Sequence, residues 1–96
     1  MGIEEILKGK RDEILAIAAR HGATNVRIFG SVARGEASAE SDVDFLVEME
    51  RGRSLLDRAA LMIELEETLG RRVDVANERG LRPAIREQIL RGAVRL

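Results

Sequence analysis

Apolar residues recur along this chain with two different periods, and the periods distinguish helices from strands. Isoleucines and leucines fall three or four residues apart through residues 3–20, and Gly22 follows them, which predicts an amphipathic helix that ends at the glycine. Similar spacing returns in residues 55–69, where Ser54 and Asp57 form a capping-box pattern ahead of the apolar run. We therefore expect two long helices in this part of the chain.

The pattern also predicts three shorter segments as strands, at residues 26–29, 42–47 and 72–76. Pro83 suits the first turn of a last helix, which Gly92 would end. The loop between the first two strands is too short for a helical crossover, whereas a helix separates the second strand from the third and favours a parallel pair. This order predicts an α+β (α/β) protein with a small mixed three-stranded sheet and helices packed on it.

The composition is that of one small domain over residues 1–96. With 16 basic and 17 acidic side chains the formal charge is −1, which gives no reason to expect direct nucleic-acid binding or an anionic membrane partner. The absence of cysteine excludes disulfides and thiol chemistry. No apolar run approaches the ~20 residues of a membrane helix, and no signal peptide is recognisable, so we expect a cytoplasmic protein.

Two aspartates in the second predicted strand are the first candidates for chemistry. Asp42 and Asp44 alternate with apolar residues, so both carboxylates are expected on one face, about 6.6 Å apart along the backbone. Carboxylates at that spacing can converge on Mg²⁺ ions, which lie about 3.5–4 Å apart in two-metal phosphoryl-transfer sites. Taken alone the pattern also fits a solvated strand face, but aspartate is depleted in strands, which favours a site.

A glycine and serine turn precedes these aspartates. Gly30 and Ser31 follow the first predicted strand, where a glycine lets the backbone approach a ligand and the serine can offer its amide and hydroxyl to a phosphate oxygen. Arg34 brings a positive charge into the same loop, and Gly35 lets the chain turn back. Arg34 alone could equally be a solvated surface residue, but the turn and the aspartates together predict a nucleotide site.

The combined pattern resembles the minimal nucleotidyltransferases of the DNA polymerase beta superfamily. Their signature is Gly-Ser, ten residues, then Asp-X-Asp, and here ten residues separate Ser31 from Asp42. The family carries a third carboxylate on a later strand, and Asp74, which alternates with apolar neighbours, is the candidate for it. Ser41, directly before the first aspartate, also matches. The resemblance covers nearly the whole chain and implies a polymerase-beta-like nucleotidyltransferase fold.

The resemblance also implies the roles of two sets of residues. The catalytic and metal-binding set, which would hold two Mg²⁺ ions, is Asp42, Asp44 and Asp74. The set that would bind ATP is Gly30, Ser31, Arg34 and Ser41. Attack of an acceptor hydroxyl on the α-phosphorus would release pyrophosphate, with Asp74 placed to accept the proton of that hydroxyl.

The chain has little sequence to spare for binding an acceptor, so we expect a partner protein to bring it. Stand-alone minimal nucleotidyltransferases resemble the antitoxin half of modules with a HEPN ribonuclease toxin. The resemblance implies transfer of AMP from ATP to a tyrosine hydroxyl of that toxin, and a hetero-oligomer with it. Two alternatives stay open, namely an antitoxin that inhibits by binding alone and a transferase acting on a small aminoglycoside-like molecule.

The predicted helix over residues 55–69 leaves a second question open. Its apolar residues cover more than the single stripe expected of a surface helix. Such a helix either lies deep in a small core or presents part of its surface to another subunit.

Overall fold

The computed structural model describes residues 1–96 and contains one mixed sheet with helices packed on it. In chain order the elements are α1 (Ile3–Leu7), α2 (Arg11–Arg20), β1 (Ala23–Phe29), α3 (Gly30–Ala33), β2 (Val43–Met49), α4 (Leu55–Leu69), β3 (Val73–Asn77), a 3-10 turn (Glu78–Gly80), α5 (Pro83–Gly92) and β4 (Val94–Arg95). None of these helices has the length and apolarity that a membrane crossing requires.

The strands lie in the order β3-β2-β1-β4. As predicted, β1 and β2 are antiparallel, and β2 and β3, joined through α4, are parallel. The predicted count of three strands is wrong, because Val94 and Arg95 add a short fourth strand antiparallel to β1. Two residues are too few to show a period in the sequence, so this strand could not be read from the pattern. The predicted mixed α+β class is confirmed.

The N-terminal helix differs from its prediction as well. We expected one helix over residues 3–20, but the structure has two, which are separated at Lys8 and Gly9. Both residues have left-handed backbone conformations, with φ of +51° and +78°. The α-helix cannot continue through such residues, so α1 ends there and α2 starts in a new direction.

One face of the sheet carries the main core. Nineteen buried residues form it, and β2 contributes Val43, Phe45, Val47 and Met49. Helix α4 adds a single buried stripe, which is Leu61, Leu65 and Leu69. Leu55, Leu56 and Ile63 are exposed, at 74%, 80% and 53%, whereas Met62 is partly buried against the core. Helix α4 therefore lies partly in the core, while its first turn presents apolar side chains to solvent.

The predicted start of α4 is confirmed in detail. The Ser54 hydroxyl accepts a hydrogen bond from the Leu56 amide at 3.1 Å, and the Asp57 carboxylate accepts one from the Ser54 amide at 2.8 Å. These bonds satisfy amides that the first helical turn leaves without partners. Gly70, in a left-handed conformation, ends the helix and leads into β3.

The residues that alternate with the core positions point to the opposite face of the sheet. On this second face Asp44 pairs with Phe29 of β1 on one side and with Asp74 of β3 on the other. One row further along the strands, Leu46 pairs with Arg27. The candidate carboxylates thus occupy the face away from the main core.

Candidate active site

The turn between β1 and α3 brings backbone against a carboxylate. Gly30 has a φ of +75°, which side-chain-bearing residues rarely adopt. A Cβ atom at this position would lie 2.4 Å from the Asp44 Oδ2 atom. Both facts require glycine here. The next residue, Ser31, is partly exposed in the first turn of α3, which follows the strand that neighbours β2.

The three predicted carboxylates gather at the start of two parallel strands. Asp44 and Asp74 are register partners in β2 and β3, so their backbones are about 4.8 Å apart. Asp42 lies directly before the first residue of β2, and its side chain is 47% exposed. Asp44 is partly buried, whereas Asp74 is exposed.

These carboxylates repel one another. Burial raises the pKa of Asp44 above its ordinary value, and the negative charges of Asp74 and then Asp42 raise it further. Arg34 acts in the opposite direction but does not cancel these effects. A bound cation would relieve the repulsion, and carboxylate oxygens are the ligands that hard divalent cations prefer. In the structure the side chains do not yet converge as a set of three metal ligands.

Two other predicted ligand-binding residues lie in the connector between α3 and β2. The Arg34 side chain is 58% exposed and its Nε atom is 3.4 Å from a Glu36 carboxylate oxygen. The Ser41 hydroxyl accepts a hydrogen bond from the Ser38 amide at 2.9 Å. Arg71 donates to the carbonyl oxygens of Ser38 and Ser41 at 2.6 and 2.9 Å. Ser41 thus shapes the connector that leads into Asp42, and its predicted contact with nucleotide stays a prediction.

Sequence reasoning missed Arg72. Its Nε atom donates to the Asp42 Oδ1 atom at 3.1 Å, and its own side chain is 81% exposed. The parallel register explains the contact, since Val43 pairs with Val73 and the residue before each one then lies beside the other. The Val43 amide also donates to the Arg72 carbonyl at 3.0 Å. A parallel strand pair with this register, once assumed, would have identified Arg72.

A second charged group lies on the same sheet face, beyond Leu46. Glu78 accepts hydrogen bonds from Arg27 and, at 3.0 and 2.7 Å, from Arg86 of α5. Arg27 and Glu78 are both buried, at 7% exposure. Hydrogen bonds from Arg86 and Arg27 lower the pKa of Glu78. This group, which we call the arginine clamp (Arg27, Glu78 and Arg86), fastens α5 to β1, the strand that precedes Gly30.

Comparisons with known proteins identify the family of this chain. The family described as nucleotidyltransferase domain matches residues 11–96. A Methanocaldococcus jannaschii protein named "Putative protein adenylyltransferase MJ0435" is 44% identical over 98% of this chain and 97% of its own length. "Protein adenylyltransferase MntA" of Thermococcus cleftensis is 40% identical over 96% of this chain and 90% of its own length.

Solved structures share the fold. One described as a "putative minimal nucleotidyltransferase" is 55% identical, with a TM-score of 0.88 over 100% of this chain and 97% of the other. In the complex of tri-AMPylated Shewanella oneidensis HEPN toxin with MNT antitoxin, the similar chain is 17% identical, with a TM-score of 0.71 over 92% of this chain and 69% of the other. The family match and these relatives show that the chain belongs to the nucleotidyltransferase domain family, in agreement with the fold described above.

Proposed function

We propose that this protein transfers AMP from ATP to a hydroxyl, a tyrosine hydroxyl by the resemblance, of a partner HEPN ribonuclease toxin and thereby acts as its antitoxin. Two relatives of at least 40% identity, matched over nearly their full lengths, carry the name protein adenylyltransferase. The observation that carries the proposal is the register pair of Asp44 and Asp74, set against the Gly30 turn at the end of a neighbouring strand. ATP as the donor fits the cytoplasmic location expected from the sequence.

The donor side of the site is built from the Gly30 turn. Its backbone lies in contact with Asp44, so a triphosphate held by Gly30 and Ser31 would lie next to the carboxylates. Arg34 follows α3, and its charge reaches Asp44 across the same space. We assign to Arg34 the neutralisation of phosphate oxygens, for which a guanidinium is well suited. Ser41 would keep the connector in place on the other side.

The carboxylates would hold Mg²⁺. Their oxygen donors match its preference, and burial, followed by the charges of Asp74 and Asp42, raises the pKa of Asp44, so positive charge is favoured beside it. When bound, Mg²⁺ neutralises charge on the attacking and leaving oxygens of a phosphoryl transfer. The ligands that we propose are Asp42, Asp44 and Asp74.

The transfer itself exchanges one bond for another at phosphorus. The oxygen of the acceptor hydroxyl bonds to the α-phosphorus, and the bond from that phosphorus to the oxygen bridging to the β-phosphate breaks. Pyrophosphate leaves with the bonding electron pair, and Asp74 accepts the proton of the hydroxyl. Asp74 is suited to this role because it is the more exposed carboxylate of the register pair and lies on the edge strand of the sheet.

Two alternative functions make different demands on the carboxylates. An antitoxin that inhibits by contact alone needs neither metal nor carboxylates, and a small-molecule transferase needs no protein acceptor. The raised pKa of Asp44 disfavours the first, because a binding module gains nothing from carboxylates that repel one another.

The test is intact-mass spectrometry of the protein encoded by the neighbouring gene. That protein is incubated with this chain, ATP and Mg²⁺, and we expect its mass to rise by whole AMP units. The Asp42→Asn, Asp44→Asn double variant should produce no increase. Asp12→Asn, which makes the same type of substitution once at an exposed position in α2, is the control and should act like the wild type.

Two results would contradict the proposal. A mass increase with the double variant would remove the carboxylates from the mechanism. A stable complex without any mass increase would favour inhibition by binding.

A further inference from the structure

Two arginines flank the carboxylates from opposite sides. Arg34 follows α3, on the side of β1, and its charge acts on Asp44. Arg72 precedes β3, on the side of the sheet edge, and pairs with Asp42 at 3.1 Å. Strand β2, which follows Asp42, lies between β1 and β3. The two guanidinium groups therefore start from opposite sides of the carboxylates, with β2 between the strands beside which they lie.

The position of Arg72 assigns it to the acceptor. In the proposed function, from which this inference starts, the triphosphate lies at the Gly30 turn and the acceptor hydroxyl approaches Asp74. Arg72 is two residues before Asp74 on the same edge and is separated from the turn by the whole width of β2. A side chain in this position, close to Asp74, would contact the molecule that carries the acceptor hydroxyl.

The ion pair between Arg72 and Asp42 is weak enough to break. The pair with Asp42 joins two largely exposed side chains, at 81% and 47% exposure, and such pairs stabilise a protein by about 1 kcal/mol or less. A divalent cation on Asp42 would compete for the same oxygen. Arg72 would then be a mobile, fully charged group with no other carboxylate bonded to it.

We propose that Arg72 is the acceptor-side binding residue of this enzyme. It neutralises Asp42 in the empty site, and when Asp42 takes a cation it is released to bind an anionic oxygen close to the receiving hydroxyl. Carboxylates and phosphodiesters are the groups that a guanidinium recognises with two parallel hydrogen bonds. The anion comes either from an acidic side chain of the partner or from the phosphodiester of an AMP group that the partner already carries.

The experiment compares Arg72→Gln, Arg72→Lys and Arg91→Gln in AMP transfer to the neighbouring-gene protein. Arg91 is the control, because it forms a similarly exposed pair with Glu87 at 3.3 Å on α5. Three quantities are measured: the KM for the partner with kcat at saturating ATP, the affinity for AMP-PNP by calorimetry, and the affinity of the nucleotide-free protein for Mn²⁺.

We expect Arg72→Gln to raise the KM for the partner about 10-fold, the effect of one charge-assisted hydrogen bond. Its affinity for AMP-PNP should stay within about two-fold of wild type, as for any charge outside the donor site. Its affinity for Mn²⁺ should increase by a few-fold because Asp42 loses a competing cation. Arg72→Lys keeps the positive charge but cannot donate two parallel hydrogen bonds, so its KM for the partner should lie between those of wild type and Arg72→Gln. Arg91→Gln should match the wild type in all three quantities.

The mass spectrum distinguishes the two sources of the anion. If the anion is an acidic side chain, Arg72→Gln slows the first addition of AMP. If it is the phosphodiester of an earlier AMP, the first addition proceeds as in wild type and singly modified partner accumulates; the KM effect then appears with singly modified partner as substrate. Either outcome supports the assignment.

The assignment is overturned if Arg72→Gln leaves the KM for both forms of the partner unchanged, or if it weakens AMP-PNP binding instead. Those results would make Arg72 a surface ion pair or a donor-side residue, respectively. They leave the proposed function intact as long as the wild type transfers AMP. Absence of transfer by the wild type would instead contradict the proposed function itself.

Discussion

Two acidic groups on the same face of the sheet have opposite electrostatic environments. Glu78 is held between Arg27 and Arg86, and its pKa is lowered. Asp44 faces Asp74 and Asp42, and its pKa is raised. The first arrangement satisfies its charge within the protein. The second concentrates negative charge that Arg34 does not cancel, and a pKa raised in this way is more typical of a functional site than of a structural ion pair.

The difference is reinforced by what lies next to each group. Arg27 and Glu78 of the arginine clamp are buried, Arg86 is half-exposed, and together they tie α5 to β1. The carboxylates lie near the surface beside a glycine whose missing Cβ leaves room for Asp44. The stability that the arginine clamp provides therefore offsets the cost of placing the three carboxylates close together.

The largest effect is expected from the functional acid. Asp44→Asn should reduce AMP transfer roughly a thousand-fold or more, because it removes a charged ligand of the proposed metal site while leaving the fold intact. Transfer is measured by intact mass of the partner, and circular dichroism checks the fold. Retention of a tenth or more of wild-type activity would argue against a catalytic role for Asp44.

Substitution of Glu78, the structural acid, should reduce stability more than AMP transfer. Glu78→Gln leaves Arg27 and Arg86 without their counter-charge, and breaking a buried ion pair in this way costs about 3 kcal/mol of unfolding free energy. Urea denaturation measures this loss. Activity at a temperature where the variant remains folded should fall far less than in Asp44→Asn. A stable variant with abolished transfer would move Glu78 from the structural to the functional side.

The contact between Gly30 and Asp44 can be tested with a matched glycine. Gly30 and Gly35 both have a φ of +75°, but only at Gly30 would a Cβ atom meet Asp44, since no atom lies within 4 Å at Gly35. Alanine at either position should cost about 1 kcal/mol of stability through backbone strain. Only Gly30→Ala should displace the carboxylate and reduce transfer by roughly 10- to 100-fold. Equal activity losses in the two variants would show that strain alone matters.

The smallest effect is a pair of opposite pH dependences. A lowered pKa means that Glu78 stabilises the fold above the ordinary glutamate pKa of about 4.3, and that this contribution is lost as the pH falls through the folded-state value. A raised pKa means that Asp44 favours folding when protonated, and that this contribution is lost as the pH rises through its folded-state value. Without metal, Asp44→Asn should therefore be more stable than wild type at pH 7.

The measurement is denaturation in urea without metal at pH 7 and near pH 4. The stability gained by Asp44→Asn should shrink at the lower pH, and so should the stability lost by Glu78→Gln. Asp12→Asn should show neither trend. A destabilised Asp44→Asn at pH 7 would mean that Asp44 has a favourable partner in the folded protein.

Helices and strands that are long enough to show a repeating pattern of apolar residues could be predicted from the sequence. Alternation in residues 42–47 and 72–76 predicts the two strands that contain Asp44 and Asp74, and the spacing from Gly30 to Asp42 indicates the family. The placement of these four residues in the fold follows from local pattern and from the parallel crossover.

What could not be predicted depends on single residues or on distant contacts. Nothing local marks Lys8 for a left-handed conformation that divides the first helix, and β4 is too short to show a pattern. The arginine clamp joins Glu78 to Arg27, 51 residues earlier, so only the folded chain reveals it. The same holds for the ion pair of Arg72 with Asp42, which requires the register of two strands.

The most direct test of the central claim is to follow which phosphate of ATP reaches the partner. The neighbouring-gene protein is incubated with this chain, Mg²⁺ and ATP labelled at either the α- or the γ-phosphate. We expect label from the α-phosphate to become attached to the partner and label from the γ-phosphate to remain free. Attachment of γ-label would identify a phosphotransferase, and attachment of neither label would contradict nucleotidyl transfer to this partner.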